Sequence, residues 1–275
     1  MLINCKGTLV DLSKPKVMGI LNVTPDSFFD GGKHKDEAKM LAHAEKMLYE
    51  RADFIDVGAY SSKPNAEFVS EKEELQRIVP VVDLLQKHFP EALISVDTFR
   101  SAVAKSCVES GAAIVNDISA GMLDDKMLET VGKLKAPYIM MHMRGTPQTM
   151  VKLTQYDDIV KEMLSYFAER INTARNFGIN DIIIDPGFGF AKTLEQNYEV
   201  LNKMELFQMT GLPLLAGMSR KSMIYKLLGN TPQEALNGTT VLNTIALNKG
   251  ANILRVHDVK EAKETIDIFS KMKYA

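Results

Sequence analysis

Leu93-Ile-Ser-Val-Asp97 and Ile114-Val-Asn-Asp117 flank a stretch, residues 98–113, that closes near Gly111. Each flank is a short β-branched apolar run ending on a polar side chain, which predicts a strand buried on both faces. The stretch between them is longer and amphipathic, and Gly111 stands where a glycine ends a helix. The same unit recurs in both directions. Upstream lie Val17–Leu21 ending at Asn22, and Phe54–Val57 enclosing Asp56. Downstream lie Tyr138–Met141 ending at His142, Ile182–Ile184 ending at Asp185, Leu214–Ala216 before Gly217, and Ile253–Leu254 ending at Arg255. The intervening segments carry a helical period: Leu75, Ile78, Val79, Val82 and Leu85 share one face, as do Ile159, Met163, Phe167, Ile171 and Ala174. Thr193-x-x-Gln196 and Asp258-x-x-Glu261 read as capping boxes, and Gly178 as a second helix stop. Strand-then-helix units in this number predict an α/β fold, a closed (β/α)8 TIM barrel in one domain over residues 1–275. An open doubly wound sheet is the other arrangement of the same units. Residues 1–14, turning at Gly7, read as a short N-terminal strand pair plugging the barrel bottom.

Composition narrows the function classes. With 45% of 275 residues apolar, the chain has ample material for a core, which excludes disorder. Lys+Arg 33 against Asp+Glu 35 leaves a net charge of −2, so no polybasic arm points to nucleic acid or an anionic membrane. Two cysteines, Cys5 and Cys107, make neither a disulfide framework nor a ligand-spaced pair. The first residues lack the apolar stretch of a signal peptide, and no run is long enough to span a bilayer. The expectation is a soluble, cytoplasmic protein.

In such a barrel the strand C-termini and the loops after them carry the site. Those positions hold Asn22, Asp56, Asp97, Asn116, Asp117, His142, Asp185, Lys221, Arg255 and His257. They divide into two chemistries. Ser219, Arg220, Lys221, Arg255, His257 and Asn22 gather around the last two strands and the first, where Gly217-Met-Ser-Arg-Lys-Ser222 enters a helix. Free N–H groups there suit an anion, and the neutral oxygen of Asn22 can join phosphate oxygens around Mg2+. Deeper in, Asp97, Asn116 and Asp185 can hydrogen-bond a flat, nitrogen-rich heterocycle or staple their strands together. Asp56 fits either role. Asp185-Pro-Gly-Phe-Gly-Phe-Ala-Lys192 invites a dinucleotide reading, but Lys192 stands where the third glycine belongs. His142 reads as a hydrogen-bonded core residue. Two long connections, 22–36 and 58–70, read as lids.

Seven blocks in order resemble dihydropteroate synthases: Met18-Gly-Ile-Leu-Asn-Val-Thr-Pro-Asp-Ser-Phe, Ser95-Val-Asp-Thr98, Asn116-Asp-Ile-Ser119, Met141-His-Met-Arg-Gly-Thr-Pro, Asp185–Lys192, Gly217-x-Ser-Arg-Lys-Ser222 and Arg255-Val-His-Asp258. The resemblance implies condensation of 6-hydroxymethyl-7,8-dihydropterin diphosphate with 4-aminobenzoate. It implies that Asp97, Asn116, Asp185, Lys221 and Arg255 hold the pterin, and that Asn22 (through Mg2+), Ser62, Arg255 and His257 hold the diphosphate. Ser62, Lys63, Pro64, Phe190, Lys221 and Ser222 would line the aminobenzoate site. Asp97, Lys221, Arg255 and His257 would act in the chemistry. A homodimer through barrel helices is implied as well. The second lid departs from the family pattern Ser-Thr-Arg-Pro-Gly, reading Ser61-Ser-Lys-Pro-Asn65, so a bidentate guanidinium is replaced by a lysine point charge. Two other readings of the same fold are a methyltetrahydrofolate–corrinoid methyltransferase and a non-catalytic pterin-binding protein.

Overall fold

The computed structural model describes residues 1–23, 33–60 and 69–273. Leu2–Cys5 (β1) and Thr8–Asp11 (β2) form an antiparallel hairpin, with Lys6 and Gly7 at positive φ in its turn. Eight strands follow: Lys16–Asn22 (β3), Phe54–Gly58 (β4), Ile94–Asp97 (β5), Ile114–Asp117 (β6), Tyr138–Met141 (β7), Ile182–Asp185 (β8), Leu215–Ala216 (β9) and Ile253–Val256 (β10). They are parallel, neighbours in chain order from β3 to β8, with β10 between β3 and β9. A parallel bridge between Ile184 and Leu214 joins β8 to the segment entering β9 and closes the ring. That closure excludes the open sheet, and every expected run is a strand. Nine helices among the described residues surround the ring: Lys33–Tyr49 (α1), Glu71–His88 (α2), Ser101–Glu109 (α3), Met127–Leu134 (α4), Ile159–Asn176 (α5), Leu194–Asn202 (α6), Ser222–Leu228 (α7), Leu236–Asn248 (α8) and Val259–Lys273 (α9).

Strand alternation sorts the side chains into two cores. Val17, Ile55, Val96, Val115, Tyr138, Ile184 and Leu254 face outward and pack with the helices. Met18, Phe54, Ile114, Ile139, Ile183, Leu215 and Ile253 face the barrel axis, where Ile3, Cys5, Val10 and Leu12 of the hairpin seal them from below. The plug expected from residues 1–14 is therefore present, and the axis has an apolar floor. Both faces of each strand are buried, which is why the strands read as continuous apolar runs.

Helix signals are mostly borne out. Asp158 caps α5 by accepting from the Lys161 N–H, and Ile159, Met163, Phe167, Ile171 and Ala174 are its buried stripe. Thr193 and Gln196 form the expected capping box, and Gly111 and Gly178 follow their helices at positive φ. Asp258 differs: both its carboxylate oxygens engage Arg220, at 3.1 and 2.5 Å. In α2 the buried residues are Glu74, Arg77, Ile78, Val81, Val82 and Leu85; Glu74 turns inward to pair with Arg100 and accept from Thr98 Oγ1.

Candidate active site

Two residues beyond the apolar floor, the inward positions change character. Phe54 gives way to Asp56, Ile114 to Asn116, Ile183 to Asp185 and Ile253 to Arg255. Asp56 is fully buried, and its Oδ2 accepts from Arg255 Nε at 2.6 Å and from Asn116 Nδ2 at 3.1 Å. Arg255 Nη2 donates to Asp97 Oδ2 at 2.7 Å, so the guanidinium spans two carboxylates. Strand register sets this up. Asp97 lies beside Asn116 on β6 and beside Gly58 on β4, where a Cβ would come within 3.3 Å of the Asp97 Cβ. Burial pushes the Asp97 carboxyl up to about 7 against the pull of Arg255. Burial also works against the charge on Arg255, but Asp56 and Asp97 more than offset it and raise its pKa.

Across the mouth, Asp185 Oδ1 accepts from the Gly187 N–H at 2.7 Å. Burial raises the Asp185 carboxyl, opposed chiefly by Lys221. Lys221 precedes α7 in extended conformation, and its Nζ donates to Phe188 O at 2.5 Å and sits 5.0 Å from the Phe190 ring centroid. Burial lowers its ammonium to about 8, with Asp185 opposing. Ser222 begins α7, and no side chain caps that helix start. On the other flank, Ser219 Oγ lies 3.0 Å from His257 Nδ1 and accepts from the His257 N–H at 3.1 Å. Asn22 ends β3 with its side chain exposed and without a hydrogen bond among the described residues.

The structure thus gathers Asp97, Asn116 and Arg255 into one cluster, Asp185, Lys221 and Phe190 into a second, and Ser219 with His257 into a third. Two expected mouth residues are elsewhere. Asp117 faces outward by strand alternation, where it accepts from Tyr138 Oη at 2.6 Å, from the backbone and hydroxyl of Ser119, and from the Gly121 N–H. It is a structural knot. Arg220, expected as an anion-binding cation, is tied to Asp258. Ser62, Lys63 and Pro64 lie outside the described residues. His142 is a core residue as read, 2% exposed, its Nδ1 3.1 Å from Lys192 Nζ. Residue types alone left Asp56 undecided and passed over the Phe188 carbonyl. Counting by twos from Phe54 assigns Asp56 to the axis, whereas a main-chain carbonyl leaves no mark in a sequence.

A separate cavity of about 760 Å³, lined by Ser119, His142, Arg144, Glu162 and Tyr166 among others, contains none of the three clusters. Arg144 and Glu162 are ion-paired there. No group of three His, Cys, Asp or Glu side chains among the described residues makes a metal cage.

The deep layer offers carboxylate and amide edges for the N–H and ring-nitrogen positions of a flat heterocycle, over an apolar floor and beside a guanidinium plane. The rim offers Lys221, His257 and an uncapped helix start to an anion. Comparison with known proteins agrees with that pairing of chemistries. Residues 18–257 match the family described as pterin binding enzyme. The dihydropteroate synthase of Escherichia coli (strain K12) is 45% identical over 265 residues, covering 96% of this chain and 93% of the relative. The crystal structure of the Yersinia pestis dihydropteroate synthase with a sulfonamide drug complex superposes with a TM-score of 0.93 at 42% identity, covering all of both chains. That of the Xanthomonas albilineans dihydropteroate synthase with 4-aminobenzoic acid gives 0.91 at 36%, covering 100% of this chain and 98% of the other. The chain belongs to the pterin-binding enzyme family, among the dihydropteroate synthases, transferases of folate biosynthesis.

Proposed function

We propose that this chain joins 6-hydroxymethyl-7,8-dihydropterin diphosphate to 4-aminobenzoate, with the pterin on the Asp97–Asn116–Asp185 layer and the diphosphate at the His257 rim. The observation that carries this assignment is the Arg255 guanidinium, held between Asp56 and Asp97 where the polar layer meets the rim. Two of its five N–H donors are engaged there, which leaves donors for an anion and one face for a ring.

In the reaction the bond between the exocyclic carbon and the diphosphate oxygen breaks, and the aniline nitrogen bonds to that carbon and then gives up a proton. Asp185 and Asn116 orient the pterin through paired hydrogen bonds. Asp97, ionised, supports the positive charge that develops at the exocyclic carbon, while Arg255 and His257 receive the charge of the departing diphosphate. Lys221 lies between the Asp185 cluster and the Phe190 ring, where it meets both substrates. No protein nucleophile is required. Water would capture the same cation, and the two long connections read as lids, 22–36 and 58–70, are assigned the role of excluding it.

Asn22 fits a Mg2+ site of the kind completed by substrate, since its side-chain oxygen is exposed at the mouth and the described residues offer no all-protein cage. Mg2+ bound there would neutralise charge on the leaving diphosphate. A homodimer is part of the proposal, supported by exposed Leu227 and Leu228 on α7, Val241 and Ile245 on α8, and Ile268 and Met272 on α9. So is a cytoplasmic location; among the described residues no helix is long and apolar enough to cross a membrane. Calorimetry with the pterin diphosphate, followed by a diphosphate-release assay on adding 4-aminobenzoate, tests the assignment. Binding without release would leave a pterin-binding protein and end the enzyme reading.

A further inference from the structure

In the sequence Lys192 only interrupts a dinucleotide pattern; in the fold it is 9% exposed and fully engaged. Its Nζ has three acceptors: Gly187 O at 3.0 Å, Phe190 O at 3.0 Å and His142 Nδ1 at 3.1 Å. An ammonium has three N–H donors, so the match is one to one, and it leaves the neutral His142 ring its proton on Nε2. Both carbonyls belong to the loop 186–191 after β8, while His142 follows β7. One side chain therefore ties both ends of the 187–190 turn to His142, the residue that follows β7.

The loop needs such a tie. Gly187, Gly189 and Ala191 all hold positive φ, at 67°, 83° and 48°. At Gly187 a Cβ would also lie 2.3 Å from His142 O. The same loop carries both groups that meet Lys221, the Phe188 carbonyl and the Phe190 ring. Asp185 sits within β8 in register with Met141 of β7, so the sheet holds its backbone, although one carboxylate oxygen accepts from the Gly187 N–H. Among the described residues, Asp97, Asn116 and Arg255 make no hydrogen bond to the loop.

We infer that Lys192, seated on His142, is a positioning residue for the aminobenzoate half of the site, holding the Phe188 carbonyl and Phe190 ring against Lys221. The assignment of that half rests on the function proposed above. Replacing Lys192 by an apolar side chain strands Phe190 O and His142 Nδ1 and leaves Gly187 O with the Phe190 N–H alone. The loop then relaxes to recover partners, which moves the Lys221 contacts and leaves Asp97, Asn116 and Arg255 of the pterin layer in place.

The test uses full-length Lys192→Met, His142→Leu and His142→Asn, with fold checked by thermal melting. Lys192→Met is expected to raise KM for 4-aminobenzoate by about tenfold or more while the Kd for the pterin diphosphate stays within about threefold. His142→Leu should give the same split, and His142→Asn, whose Oδ1 can stand where Nδ1 stood, should restore KM to within about threefold of wild type. A second readout needs no catalysis. 4-Fluorophenylalanine introduced at Phe190 should give a ¹⁹F resonance that moves or broadens in Lys192→Met and His142→Leu and not in His142→Asn. Unchanged KM with an unmoved resonance, parallel loss of both substrates, or His142→Asn no better than His142→Leu would overturn the inference. Should Lys192→Met not fold, the His142 pair decides. Should the wild-type enzyme release no diphosphate, the functional assignment fails, and the ¹⁹F comparison still decides whether Lys192 holds the loop.

Discussion

Asp56→Ala probes the residue whose role the sequence left open. Asp56 is fully buried, and its Oδ2 accepts from both Arg255 Nε and Asn116 Nδ2. Removing one partner of a buried ion pair costs about 3–5 kcal/mol. Here Arg255 keeps Asp97, and its side chain is 20% exposed, so solvent and the second carboxylate recover part of that. The expected net loss is about 2–3 kcal/mol, or roughly 4–6 °C in Tm at about 2 °C per kcal/mol for a chain of this size. Freed from Asp56, the guanidinium swings toward Asp97, and affinity for the pterin diphosphate should fall by about tenfold, or ~1.4 kcal/mol. Denaturant titration of a double-mutant cycle isolates the pair. In an Arg255→Met background, Asp56 faces Asp97 with no cation between them, so Asp56→Ala should cost under about 1 kcal/mol or even stabilise. Equal losses in the two backgrounds would refute the claim that Asp56 acts by holding Arg255.

Asp185→Ala should weaken pterin binding by about 2–4 kcal/mol, roughly 30- to 1000-fold, because paired N–H donors lose a charged acceptor; unchanged affinity in calorimetry of the folded variant would refute the site. The pH profile of kcat/KM should be a bell: below about 7 Asp97 takes up a proton and loses its carboxylate charge, and above about 8 Lys221 loses its ammonium. Lys221→Arg, which stays charged, should retain some activity and lose the alkaline limb; an alkaline limb that persists unmoved assigns it to another group. Aminobenzoate alone offers one carboxylate and a small ring, so it should bind weakly to the free enzyme and tighten when Mg2+ and diphosphate are added. Asn22→Ala should remove most of that enhancement and leave binding of a pterin lacking diphosphate nearly unchanged; titration of labelled aminobenzoate decides it, and equal affinities with and without Mg2+–diphosphate would end this account.

Strand positions were legible because burial on both faces forces continuous apolar runs, and the polar residue ending each run marks the mouth. What end-of-run reading misses is the side of the strand. Asn116 and Asp117 are adjacent and equally polar, yet the two-residue period sends one to the Asp56 cluster and the other to Tyr138 outside the barrel. Arg220 and Lys221 repeat the lesson at the rim, where a left-handed backbone at Arg220 (φ 56°) accompanies its pairing with Asp258 while Lys221 reaches Phe188 O. Glu74 was invisible for another reason. A buried glutamate on an apolar helix face is intelligible only with Arg100, which is distant in sequence.

The arrangement of charge along the barrel axis follows from the hairpin. Because Ile3, Cys5, Val10 and Leu12 close the bottom, the layer above them faces an apolar floor rather than water. Desolvation is accordingly the first cause of the shifts at Asp97, Asp185 and Lys221. Three acidic side chains, Asp56, Asp97 and Asp185, then stand against Arg255 and Lys221, with Lys192 also acting on Asp185. At the Asp56–Asp97 end of the deep layer two carboxylates share one guanidinium, so with all ionised that end carries an excess negative charge, in a medium that screens it poorly. Such a layer disfavours an anion and favours a positive charge delocalised over a ring. Under the proposed function the diphosphate is therefore received at the rim, by Arg255's outer donors and His257, while the ring it leaves lies among the carboxylates. Breaking the bond moves negative charge outward and leaves positive charge where the field already favours it. On that proposal the barrel floor sets the direction in which the substrate comes apart.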